Sequence, residues 1–205
     1  MRAPTPVVRV VDDDEAFRTA ITRLLKAGGY DVRAYPSAGD LLLEEEDSRP
    51  GCVVLDLKMP GPDGLELQSA IARRANPLPI VFLTGHGDIA ASVRAMKNGA
   101  EDFLTKPVKK EALFAAIESA LVRDDRRRSE REERDRIRRR FEALSPRERV
   151  VLEHVVAGRL NKQIASAIGT SERTVKAHRA RVMSKMGASS VAELVRSADR
   201  LARTV

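Results

Sequence analysis

The chain has no tryptophan, one cysteine and only 3% aromatic residues in a length of 205. With so few rings, a deep aromatic-lined pocket for a small molecule is not expected. One cysteine excludes an internal disulfide and a thiolate zinc cluster. Cys52 lies in an apolar run, so it reads as a small buried apolar residue rather than a reactive thiol. No run approaches the ~20 apolar residues of a membrane-spanning helix. The opening Met1-Arg2-Ala3-Pro4-Thr5-Pro6 is too polar and too broken by proline for a secretory signal. These absences predict a cytoplasmic protein with no membrane partner.

Charge is present in quantity, and it is uneven. The net charge of +7 divides into −3 over residues 1–122, +3 over 123–142 and +7 over 143–205. A mildly acidic front and a strongly basic back predict two domains with different partners. The back is the candidate for nucleic acid. The expected division is 1–122, a charged linker over 123–142, and 143–205.

The front alternates strand and helix signals. Short apolar runs at Val7–Val11, Cys52–Leu57 and Ile80–Thr84 are bounded by turn residues and read as buried strands. Tyr30–Tyr35 and Asp102–Thr105 are two further strands. Helical spacing runs through Phe17–Leu25, Leu41–Glu45, Leu65–Arg74, Asp88–Asn98 and Lys109–Val122. This alternation predicts a doubly wound, five-stranded parallel sheet of the α/β class. Such sheets bind ligands beyond the C-terminal ends of their strands.

Four chemical groups follow those ends: Asp12-Asp13, Asp56, Thr84, and Lys106 before Pro107. Carboxylates gathered there repel one another unless a cation sits among them, and hard oxygen donors suit Mg²⁺. Lys106 adds a fixed positive charge and Thr84 a hydroxyl donor. Together they can stabilise a phosphoryl group on Asp56, since aspartyl phosphate is known carboxylate chemistry. Plainer readings stand beside this one. Asp12 to Glu15 could cap a helix, and Thr84 could be an ordinary strand residue. His86 could tune the lifetime of a phosphate or be a loop histidine without a role. His154 reads as a residue on a helix surface or edge.

The ordered set of Asp12-Asp13, Leu55-Asp56-Leu57-Lys58-Met59-Pro60, Leu83-Thr84-Gly85 and Lys106-Pro107 resembles the receiver domain of bacterial response regulators. The resemblance covers residues 7 to about 122 and implies a flavodoxin-like fold. It also implies that Asp56 is the phosphoacceptor. Asp13, Asp56 and the backbone carbonyl of Lys58 would hold Mg²⁺, with Asp12 acting mainly through water. Thr84 and Lys106 would bind phosphoryl oxygens, Thr84 and Phe103 would form the switch, and Lys106-Pro107 would be a cis peptide. A phosphatase with an aspartyl nucleophile is the enzyme alternative. That class needs a second Asp two residues after the nucleophile, where this chain has Lys58. The chain is therefore read as not an enzyme. A front domain that senses a small molecule is a third reading, disfavoured by the scarce aromatics and the acidic cluster.

Between Arg123 and Arg140 there is no proline or glycine, and Ile137 is the lone large apolar residue. Asp124–Arg128, Glu130–Arg134, Glu132–Arg136 and Asp135–Arg139 place acid before base at i,i+4, the favoured order on a helix. The segment reads as a solvated continuation of the preceding helix, with a disordered charged stretch as the alternative.

The back reads as a small all-α domain. Ser145-Pro146-Arg147-Glu148 is a capping box with proline at the first helical position. Asn161 is expected to cap a short helix, Gly169 to turn the chain, and Glu172–Met186 to form a longer basic helix. Ser190 to Glu193 is a second capping box that opens a last helix. A short helix, a glycine turn and a basic helix make a helix-turn-helix whose second helix enters the major groove. The alternative is that its basic face is merely solvated. Asn161-Lys162-Gln163-Ile164-Ala165 and Thr174-Val175-Lys176-Ala177-His178-Arg179 resemble the LuxR-type helix-turn-helix. With the receiver in front, the whole chain resembles the NarL/FixJ response regulators. That implies base-facing positions at Lys176, Ala177 and Ala180, and phosphate contacts from Thr174, His178, Arg179 and Arg181. Members with lysine at position 180 differ from this chain, so one base contact is expected to be missing. The implied partners are a sensor histidine kinase, double-stranded promoter DNA and a second copy on phosphorylation. RNA polymerase is a further candidate.

Overall fold

The structure, a computed structural model, describes residues 5–44, 49–85 and 89–202. It divides into two units, Met1–Arg127 and Arg128–Val205.

In the first unit, β1 (Val7–Val11), β2 (Asp31–Tyr35), β3 (Gly51–Leu55), β4 (Ile80–Thr84) and β5 (Asp102–Thr105) form one parallel sheet in the order β2-β1-β3-β4-β5. The register pairs Val11 with both Tyr35 and Leu55, and Thr84 with Thr105. Every residue of β1, β3 and β4 is buried, as central strands covered on both faces require. Helices α1 (Glu15–Ala27), α2 (Ala38–Leu43), α3 (Gly64–Ala72), α4 (Ile89–Lys97) and the start of α5 (Lys110–Glu142) supply the cover. One core joins Leu55, Leu67, Ile71 and Phe82, and the other joins Val10, Ile21, Leu25, Leu113 and Ile117. The strand order reverses beside β1 and β3, so the residues that follow them meet at the crevice where such sheets bind ligands.

Several boundaries differ from the sequence expectation. Helix α2 starts at Ala38, because the Ser37 hydroxyl accepts the Asp40 amide at 3.2 Å and caps it. The expected start was Leu41, where the leucines begin. Strand β3 spans Gly51–Leu55, so Asp56 lies just past its end, with its amide on the Val11 carbonyl at 2.9 Å. Glu45, His86 and Asp88 fall outside the described residues.

Helix α5 is one run of 33 residues. Its first part places Leu113, Ala116, Ile117 and Ala120 in the core of the first unit. Asp124, expected at the surface as a partner of Arg128, is buried and accepts the Gly51 amide at 2.9 Å. The last part of α5 places Ile137 and Phe141 in the core of the second unit.

The second unit adds α6 (Pro146–Val156), α7 (Asn161–Ile168), α8 (Glu172–Met186) and α9 (Val191–Ala202). Ile164, Val151, Val155, Val175, Val182, Met186 and Leu194 fill its core. The Ser145–Glu148 capping box is present, and Ser171 caps α8. Gly169 turns α7 toward α8 at φ 65°, a left-handed conformation that costs other residues more than glycine. Asn161 does not cap α7. It is the first helical residue, and the Gln163 side chain instead accepts the Leu160 amide at 2.8 Å. At α9 the Glu193 carboxylate accepts from the amide and hydroxyl of Ser189, while Ser190 accepts the Glu193 amide.

Candidate functional site

The C-terminal edge of the sheet gathers the acidic residues. Oxygen atoms of Asp12, Asp13 and Asp56 all lie within 4.8 Å of one another. Asp12 and Asp56 are buried and Asp13 is exposed. Lys106 arrives from the end of β5. Its Nζ donates to Asp12 Oδ2 at 2.6 Å and to Asp56 Oδ2 at 3.1 Å, and it stands 4.0 Å from the centre of the Phe17 ring. The peptide bond between Lys106 and Pro107 is cis.

The supporting contacts are local. Asp12 Oδ1 accepts the Asp14 amide at 3.0 Å, and Arg18 donates to the Asp12 carbonyl at 2.6 Å. Asp14 caps α1. Thr84 is buried at the end of β4, and its carbonyl accepts the Lys106 amide at 2.7 Å. Phe103 is half-buried, its ring 6.0 Å from that of Phe82. Lys58 lies exposed on the loop between β3 and α3. Phe17 and Arg18 are site residues that the sequence motifs do not include. Their spacing of five and six residues from Asp12, one turn into α1, is the signal that marks them.

Electrostatics here are strained in a useful way. Burial raises the Asp12 pKa, only partly opposed by the Lys106 ammonium, and the like charge of Asp56 adds to the rise. Burial pulls Lys106 down, but Asp12 and Asp56 outweigh it and hold the ammonium above its usual value. Asp56 Oδ1 is buried and accepts no hydrogen bond from any described residue. An orphaned carboxylate oxygen among other carboxylates suits a hard cation or a covalent substituent, which tests the fit of Mg²⁺ favourably.

On α8, Thr174, Lys176, Ala177, Ala180 and Arg181 are exposed. His178 and Arg179 are half-buried. Arg179 donates to Asn161 Oδ1 at 2.8 Å. The far end of α8 is tied down by Lys185, which donates to Glu148 at 2.7 Å, and by Arg140, which donates to the Met186 carbonyl at 3.1 Å. The sequence motifs mark none of Asn161, Arg140 and Lys185 as a partner in these anchors.

Residues 8–118 match the response regulator receiver domain, and residues 142–198 match the bacterial regulatory proteins of the luxR family. Transcriptional regulatory protein FixJ of Bradyrhizobium diazoefficiens is 44% identical over 194 residues, covering 94% of each chain. Nodulation protein W of the same organism is 43% identical over 195 residues, 95% of this chain and 86% of that one. This chain belongs to the response regulators. The solved structure of the response regulator StyR matches it with a TM-score of 0.86 at 42% identity, covering 96% of this chain and 99% of that one.

As a two-component response regulator it joins a receiver to a LuxR-type DNA-binding domain and regulates transcription. The family is one of transcription factors and not of enzymes. Receiver domains bind Mg²⁺ at an acidic pocket, and this receiver carries its Asp cluster at the sheet edge. No helix among the described residues is long and apolar enough to cross a membrane.

Proposed function

We propose that a sensor histidine kinase transfers a phosphoryl group to Asp56, and that this switches the regulator into a DNA-binding dimer that activates transcription. The observation that carries the reading is Lys106 held between Asp12 and Asp56 beside an Asp56 oxygen with no hydrogen-bond donor among the described residues. The Asp56 carboxylate attacks phosphorus, the phosphorus–nitrogen bond to the kinase histidine breaks, and the imidazole leaves with the electron pair. Lys106 and the Thr84 hydroxyl bind the phosphoryl oxygens. Asp12, Asp13, Asp56 and the Lys58 carbonyl would hold Mg²⁺, which supplies charge neutralisation for phosphoryl transfer.

Thr84 and Phe103 pass the change to the face of α4 and β5. Val93 and Met96 on that face are 46% and 45% exposed, which supports its use in pairing two receivers. The functional division is residues 1–122, the helical linker 123–142, and 143–205. Paired domains on one two-fold operator gain from effective concentration. Lys176, Ala177 and Ala180 face the bases, with Thr174, His178 and Arg181 at the backbone. RNA polymerase is the further partner, and the cytoplasm the location.

Incubation with a small phosphodonor and Mg²⁺ should add one phosphoryl mass to the intact chain, and Asp56→Asn should abolish the gain. Undiminished labelling of Asp56→Asn would end this assignment.

A further inference from the structure

We propose that Arg179 is a positioning residue that sets α8 against α7 through Asn161, and that it is not a phosphate anchor. The inference rests on the DNA-binding reading above and refines it.

Helical spacing separates two faces of α8. Val175, Val182 and Met186 are its buried residues. Arg179 stands four residues after Val175 and three before Val182, so it lies along that inward stripe. Lys176, Ala177, Ala180 and Arg181 lie on the exposed face. The Arg179 guanidinium is committed to Asn161 Oδ1 at 2.8 Å, and both residues are half-buried. Asn161 opens α7, so the bond spans the Gly169 turn and joins the first turn of one helix to the middle of the other. A planar guanidinium with several fixed donors suits such a brace, because little freedom is lost per bond formed. The angle between α7 and α8 fixes how far Lys176 can reach into the groove. A brace on that angle acts on base readout, whereas a phosphate contact acts on every sequence alike.

The test uses the full chain and an operator obtained by binding-site selection, beside a scrambled duplex, at several salt concentrations. Arg179→Ala is expected to lower operator affinity about tenfold while binding to scrambled DNA and the salt slope stay unchanged. Asn161→Ala should do the same, and the double variant should be no worse than either, as coupled partners are non-additive. Circular dichroism and thermal melting of each variant report whether the fold is intact. If Arg179→Ala weakens both duplexes equally and lowers the salt slope by about one per protomer, Arg179 is a phosphate anchor and the proposal fails. Additive losses in the double variant also overturn it. If the unmodified chain prefers no sequence at any salt, the DNA-binding reading itself fails.

Discussion

Gly64 offers a test of how closely the receiver is packed around Asp56. It is the first residue of α3, directly after the Asp63 cap, and its amide donates to the Leu57 carbonyl at 3.0 Å. A Cβ there would stand 2.5 Å from the Asp56 carbonyl oxygen, 2.9 Å from Phe82 Cε1 and 3.0 Å from Leu57 Cα. Carbon contacts are optimal at about 3.5–4.0 Å, so the neighbours must retreat by roughly 0.5–1 Å. Two of the three are backbone atoms at the end of β3, which cannot swing aside as a side chain can. Overpacking of this kind costs about 1–3 kcal/mol. Gly64 is the first helical residue, where the better helix propensity of alanine counts for little, so the net loss stays at about 1–3 kcal/mol. The same retreat moves Asp56 relative to Lys106, and a misplacement near 1 Å costs about a hundredfold in rate. Gly64→Ala should therefore lower the urea midpoint of the receiver and slow phosphoryl labelling by at least about tenfold. Gly29→Ala is the control. Gly29 has φ +89°, and a Cβ added to it would meet no atom of a described residue within 4 Å. It should lose about 1–2 kcal/mol through backbone strain alone, with labelling unchanged. A Gly64→Ala receiver with an unchanged urea midpoint and full labelling rate would refute the packing argument.

Two further outcomes are expected. The Glu148 carboxyl is held down to about 2, chiefly by its bond to Lys185 and by the Ser145 amide. A folded pKa below the unfolded value means stability that is present above about pH 4.3 and is lost as pH falls toward 2. Acid unfolding of the second unit, followed by circular dichroism, should thus steepen in that window, and Glu148→Gln should flatten it; an identical acid profile for the variant would contradict the assignment. Lys176→Ala should relax base preference at one position per half-site at a cost of about 1–3 kcal/mol, read by binding-site selection. Equal loss on operator and scrambled DNA would instead make Lys176 a backbone contact.

The sheet and its edge are legible in the sequence because parallel strands bring the ends of separate short runs to one side by topology alone. Asp12, Asp56 and Lys106 each follow directly on a strand and Thr84 ends one, so their place on one edge needs no knowledge of side-chain detail. What the sequence hides depends on which face of a helix is turned inward. Asp124 continues the stripe Leu113, Ile117 and Ala120 at intervals of three and four, and it is buried accordingly. The i,i+4 charge pattern masks that stripe, because the same spacing that marks a surface pair also marks a buried column. Arg179 is hidden for a similar reason, its charge outweighing its position between Val175 and Val182. Asn161 has the residue preference of a cap. That preference is overridden here: the helix starts one residue earlier, Asn161 Oδ1 accepts from Arg179, and Gln163 reaches back to the Leu160 amide.

The two bonds made by Lys106 are unequal, and the inequality fits a switch. The bond to Asp12 is 2.6 Å and the bond to Asp56 is 3.1 Å. Asp12 is further fixed by the Asp14 amide and carries its carbonyl on Arg18. Lys106 is thereby tethered on the side of Asp12 and more loosely held on the side of Asp56. If Asp56 is phosphorylated as proposed, exchanging its oxygen for a phosphoryl oxygen would replace one charge-assisted bond with another of the same kind and keep the tether to Asp12. A lysine is suited to this exchange, since its ammonium is a point charge with three rotatable donors. Arginine would bring a planar fork whose geometry is set for one carboxylate at a time. On the proposed phosphorylation, Asp12, Asp14 and Arg18 would hold Lys106 at the sheet edge while its other bond passes from Asp56 to the phosphoryl group.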